Sequence, residues 1–253
     1  MNDSTEPLLL DYFSGGVPGG IFFPGTVADL RASLNRQARG INRVNEVYLI
    51  GLTAYFEAFF KDQFAAMINI EASLLKSLTL AGHDVSIDPT SLLAHGEHWR
   101  VRLGFLISEK FDFGSAKRIN ALYSALVKVA PFSKDEARYY DEILRDRNLL
   151  VHHGGVVTSS YLAQTAGSSS KHPRGAHFDS LVVTPDYFDE RADFILRIAH
   201  KTIEATRSAF AGVVANASEK YSTERLKAVD ALGWWDAEAD KPPILPEGSS
   251  RNE

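Results

Sequence analysis

The sequence predicts an all-α protein, a bundle of about four to six helices packed antiparallel. Three observations carry this. Apolar residues at Ile41, Val44, Tyr48, Leu52, Tyr55 and Phe59 recur in steps of three or four, which keeps them on one helical face. Ile119, Leu122, Tyr123, Leu126 and Val127 repeat the pattern. Ser133-Lys134-Asp135-Glu136 reads as a capping box, and Gly154-Gly155 is a helix C-terminal signal further on.

Taken in order, residues 1–25 read as an irregular arm, because SGGVPGGIFFPG is too rich in Gly and Pro for a helix. A first helix is expected over Thr26–Arg39, with Thr26 as its N-cap. One long helix, broken or continuous, is expected from about 41 to 78, with Phe56, Phe60, Phe64 and Met67 forming a second stripe beside the first. Residues 82–91 are a turn-rich connector. Leu92–Glu109 reads as helix, weakened by Gly96 and Gly104. FDFGS interrupts the chain before a helix over 115–129, which Pro131 closes. The capped helix then runs from Ser133 to about His153. Residues 156–185 form an irregular insert after it, Ser-rich, with a short β segment in SLVVTPDYF. A further helix starts near Pro185 and reaches about 216, its face marked by Phe188, Ala192, Ile195, Ile198 and Ala199. Residues 217–253 give a last amphipathic piece and a disordered tail, KPPILPEGSSRNE. Residues 26–216 thus make the helical domain.

The 253 residues carry a net charge of −5 and no cysteine. Disulfides and thiolate metal sites are thereby excluded. A general nucleic-acid coat would be basic, so any contact with RNA must come from a local cationic site. The N-terminus lacks the basic and apolar regions of a signal peptide, and no apolar run approaches the ~18 residues needed to span a bilayer. A cytoplasmic protein with no membrane partner is the expectation.

The chemistry concentrates in RDRNLLVHHGG, residues 145–155. Arg147-Asn148-Leu149-Leu150-Val151-His152 resembles the R-N-x-x-x-H core of the HEPN family, all-helical domains found in many prokaryotic RNases. The capped helix before it, the two glycines after it, and the earlier long helix carrying Tyr55-Phe56-Glu57 are similar too. The resemblance spans roughly residues 40–215, and the short motif is its sharp part. It implies a HEPN-like bundle that cleaves RNA without a metal or other cofactor. The ribose 2′-OH attacks the adjacent phosphate and leaves a 2′,3′-cyclic phosphate. His152 is then the general acid or base, Arg147 the charged fork for the transition state, and Asn148 the residue orienting the imidazole or phosphate. It also implies a homodimer whose site draws on both copies, and, for a toxin or defence protein, a neutralising protein partner. Many members are instead non-catalytic modules that bind a nucleotide or a protein.

Helical geometry leaves one question open. At ~100° per residue, Arg147 and His152 lie ~140° apart around the axis. Asn148 and His152 share a face, and Arg145 joins them. Either the helix ends before His152, or side chains of two protomers converge. Arg145 competes with Arg147 for the role of motif arginine.

Plainer readings exist for each residue. His152 and His153 at a helix C-terminus would favourably face its dipole. Arg145 would pair with Asp141 four residues back, and Arg147 would be solvated. Glu57, on an aromatic helix, must sit at the stripe's edge or be paired, because an isolated buried charge is costly; pairing with the Arg145/Arg147 region is expected. His95-Gly96-Glu97-His98 lacks the spacing of a metal-binding helix and reads as a turn. His172 and His177, with Lys171 and Arg174, form a polar loop or contact an RNA phosphate. Trp234-Trp235 reads as an apolar clamp on the C-terminal segment.

Overall fold

A computed structural model describes residues 7–165, 174–175, 179–217 and 221–238. The fold is all-α. Its helices among the described residues are α1 (Gly19–Ser33), α2 (Arg43–Ile70), α3 (Leu75–Leu80), α4 (Pro89–Ala94), α5 (Leu103–Ser108), α6 (Ala116–Val127), α7 (Lys134–His153), α8 (Ser159–Thr165), α9 (Pro185–Ala215) and α10 (Thr223–Ala231). A two-residue antiparallel pair, β1 (Arg174–Gly175) with β2 (Ser180–Leu181), follows α8. No described helix is long and apolar enough to cross a membrane. The tail from 239 onward, His172 and His177, and the side chains of Glu97, His98 and Arg174 lie outside the described residues.

Helix α2 is the axis of the bundle, with α1, α5, α7 and α9 packed around it. Asn42 caps it by accepting from the amides of Val44 and Asn45 at 3.1 Å each. The stripe facing the core is Leu49, Leu52, Phe56, Phe60, Phe64 and Met67, all buried. The more regular stripe reads differently in the fold: Ile41, Val44 and Tyr55 are exposed, while Leu52 and Phe59 are buried. Periodicity locates the helix but does not by itself orient it. From Gln63 to Ile70 every residue of α2 is buried, so its last two turns have no solvated face. Phe56 meets Phe60 at 4.8 Å and Tyr140 at 5.3 Å between ring centroids, and Phe60 meets Tyr123 edge-on at 5.6 Å. Such edge contacts add to the burial of the rings. The long helix expected to 78 breaks at Glu71, whose carboxylate caps the next turn at Ser73 and pairs with Arg225 at 2.8 Å.

The N-terminal arm is shorter than expected. Helix α1 starts at Gly19, so Thr26 is inside it and its hydroxyl bonds back to Phe22 O rather than capping. Pro24 sits in the helix interior. A proline there has no N–H for the carbonyl four residues back. That carbonyl, Gly20 O, accepts from Asp236 N at 2.9 Å instead. At Gly20 a Cβ would stand 1.9 Å from Trp234 O. The glycine and proline that suggest an irregular arm thus fit α1 to the C-terminal segment lying across it. Trp235 stacks on His200 at 4.8 Å and packs on the core, while Trp234 stays half exposed.

The single helix expected over 92–109 is two short ones, α4 and α5, separated by a 3-10 turn at Gly96–Val101. Gly96 takes φ +55° and ends α4. Gly104 serves a different purpose. Its amide donates to Asn69 Oδ1 at 2.7 Å, and a Cβ there would stand 2.0 Å from Ala65 O on α2. Gly104→Ala should therefore force α5 off α2 and cost about 1–3 kcal/mol or more, read as a lower midpoint in urea with an unchanged slope.

Candidate functional site

Helix α7 forms as the capping box dictates. Ser133 accepts from the Glu136 amide, and the Glu136 carboxylate accepts from Ser133 N at 2.7 Å. The same carboxylate holds Lys201 of α9 at 2.5 Å, which fixes the start of α7 against its neighbour. The far end stops on Gly154 at φ +58° and Gly155 at φ +83°, conformations that glycine adopts without strain. Their amides satisfy Leu150 O and Leu149 O at 3.1 Å. Arg43 of α2 donates to Gly154 O at 2.8 Å, and Leu181 N to Gly155 O at 2.9 Å. His152 therefore lies inside a helix that runs through His153, and termination before it is not how the motif is arranged.

Because α7 stays regular, the motif splits across two faces. Arg145, Asn148 and His152 open onto one cleft of about 170 Å³. His153, Thr158, Ser160, Tyr161 and Gln164 complete it. No acidic side chain lines it among the described residues. Both imidazoles and Asn148 are exposed, and Arg145 is half-buried with its Nε buried and without a hydrogen-bond partner. Asp141 feels the Arg145 charge, which opposes the burial that raises its own pKa, but the two form no ion pair among the described residues.

Arg147 points elsewhere. Its Nη2 donates to Glu57 Oε1 of α2 at 2.9 Å, both side chains being about a quarter exposed at 27% and 29%. Glu57 is thus paired, as its position on an aromatic helix requires. Burial raises its pKa, and the Arg147 guanidinium only partly offsets that. The Tyr140 hydroxyl, buried and without a partner, lies close enough to feel both charges; burial raises its pKa. Arg147 and His152 of one chain do not meet in the cleft.

Behind the cleft sits Asp146, buried between the two arginines in sequence. Tyr161 donates to its Oδ1 at 2.6 Å, and Tyr187 of α9 donates to its Oδ2. Arg191 lies over the Tyr187 ring at 3.6 Å. This cluster ties α8 and α9 to the back of the motif helix.

Helix α8, the second wall of the cleft, falls within the stretch expected to be irregular. Thr158, Ser160, Tyr161 and Gln164 carry no apolar repeat, so periodicity is silent there. The one legible signal is Thr158 three residues before Tyr161: its hydroxyl accepts from the Tyr161 amide at 3.1 Å, as a helix cap does. Among the described residues, no three His, Asp or Glu side chains come together so as to hold a metal ion. Comparison with protein-family models, with curated proteins and with solved structures finds no match for this chain.

Proposed function

We propose that the α7–α8 cleft takes an RNA phosphate and that the chain is a HEPN-like, metal-independent endoribonuclease of the toxin or defence type, acting in the cytoplasm. The observation that carries this reading is the cleft itself. A guanidinium, an amide and two imidazoles converge on one open space lined by no carboxylate among the described residues. A phosphate is favoured there despite the acidic chain as a whole. The bond changes balance within the site. An imidazole takes the 2′-OH proton, the 2′-oxygen bonds to phosphorus, and the bond to the 5′-oxygen breaks. A second imidazole returns a proton to the leaving 5′-oxygen. His152 and His153 supply the two imidazoles, and Arg145 stabilises charge on the phosphoryl oxygens. In this reading Arg147 braces α7 against α2 unless a second copy, docked along α7, turns it towards that copy's cleft.

One observation favours a second reading. Arg147, the arginine beside Asn148, is already engaged by Glu57 outside the cleft. The same cleft would then bind a nucleotide or an RNA end without turnover.

Purified protein is incubated with mixed-sequence RNA in excess chelator, and product ends are examined for a cyclic phosphate. Arg145→Ala should slow cleavage by about 10²–10³-fold, the effect of removing one donor to a developing charge, while Arg147→Ala in a monomer should act mainly through stability. The reverse order would assign the site to a dimer. RNA binding without cleavage by the wild type would establish the binding module.

A further inference from the structure

A second cavity, of about 190 Å³, lies between α2, α1 and the turn at 14–17. Tyr55, Phe59 and Asp62 come from one face of α2, at spacings of four, three and seven. Phe22 and Phe23 of α1 line it opposite them. Phe23 and Phe59 are buried and 5.2 Å apart between ring centroids, while Phe22 and Tyr55 are 52% and 42% exposed and flank an opening to solvent. Asp62 is the only charged side chain among the described residues that line it.

A carboxylate in such surroundings needs a counter-charge, because burial disfavours its ionised form. The protein supplies little. The Ser14 hydroxyl and Lys61, the adjacent residue on α2, each lower its pKa, and Lys61 does not line the cavity. Tyr123 of α6 also feels the Asp62 charge. The residues of α1 and of the turn that face the cavity carry no charge. The net result is a carboxyl raised to about 6, with burial as the main cause.

We propose that this cavity binds a small organic ammonium ion, its charge held by Asp62 and its alkyl groups by the faces of Phe22, Tyr55 and Phe59. Three points of chemistry select that class. Aromatic faces attract a weakly hydrated cation and give an alkylated ammonium both electrostatic and apolar contact. A divalent metal needs several oxygen ligands, and one carboxylate with one hydroxyl is too few. The volume is below that of a drug-sized pocket and suits a headgroup of a few heavy atoms. The site is separate from the α7–α8 cleft and does not depend on the reading given to it.

The test is calorimetric titration of the full chain with choline, against 3,3-dimethylbutanol, in which a carbon replaces the charged nitrogen. Near neutral pH the cation should bind at least about tenfold tighter than the alcohol. Asp62→Asn, which keeps the side-chain shape, should abolish that preference, and Tyr55→Ala should weaken cation binding by about tenfold. The pH dependence has a fixed sign. Binding a cation favours the ionised carboxylate, so affinity should hold above about 6 and fall roughly tenfold per pH unit below it. Equal binding of cation and alcohol, an Asp62→Asn variant that keeps the preference, or no binding of the cation by a folded wild type would each overturn the proposal. Circular dichroism of both variants separates lost binding from lost fold.

Discussion

On the proposed nuclease reading, His152→Ala is expected to lower RNA cleavage by about 10²–10⁴-fold, the usual contribution of a positioned acid or base. The fold should barely notice. His152 is exposed, and its one structural contribution is a favourable place in the last turn of α7, worth about 0.3–1 kcal/mol at most. A large loss of rate with a small change in unfolding midpoint is therefore the signature of chemistry rather than of scaffolding. His153→Ala makes the comparison sharper, because it lines the same cleft and faces the same dipole. If the two imidazoles divide the proton work, each single variant and the double variant should be about equally slow, since groups that act as a unit are not additive. If cleavage survives both substitutions, the cleft is not where RNA is cut.

The second large effect concerns stability. Asp146→Ala should cost about 2–5 kcal/mol, because it removes the carboxylate to which two buried tyrosine hydroxyls donate. Asp146→Asn should cost clearly less, since an amide still accepts one of the two hydroxyls and offers a donor to the other. Urea unfolding of the three proteins reads the difference as a shift in midpoint. An Asp146→Ala protein as stable as the wild type would mean that the tyrosines find other partners.

Much of this was legible in the chain. The capping box at Ser133 and the glycines at 154 and 155 bound α7 correctly, because both signals rest on local backbone hydrogen bonds. The shared face of Arg145, Asn148 and His152 follows from spacing alone, and so does the separation of Arg147 from His152. The pairing of Glu57 follows from the cost of a lone charge among aromatic rings. What spacing cannot supply is the identity of a distant neighbour. Gly20 and Pro24 look like breakers until the C-terminal segment is seen to fill their gap and accept their freed hydrogen bond. Gly104 looks like a weak helix residue until α2 is seen against it. Helix α8 is invisible to periodicity, for it is held by one tyrosine and one threonine cap rather than by an apolar stripe. The orientation of α2 is illegible for a related reason: a helix whose last two turns are buried all round has no polar face there to contrast with the apolar one.

The attachment of α8 gives the cleft walls of unequal persistence. Seven residues are too few to remain helical in water by themselves. Helix α7 is tied to the bundle at its start by Lys201, at its end by Arg43 and along its length by Glu57 and Tyr187. Helix α8 is tied to it by the Tyr161–Asp146 hydrogen bond, and short elements are the ones that open locally more often than the whole fold unfolds. The cleft thus has a side built on a long, many-tied helix, carrying the imidazoles and Arg145, and a side built on a short one, carrying Thr158, Ser160 and Gln164. Whatever occupies the cleft meets the first side ready-made and assembles the second around itself.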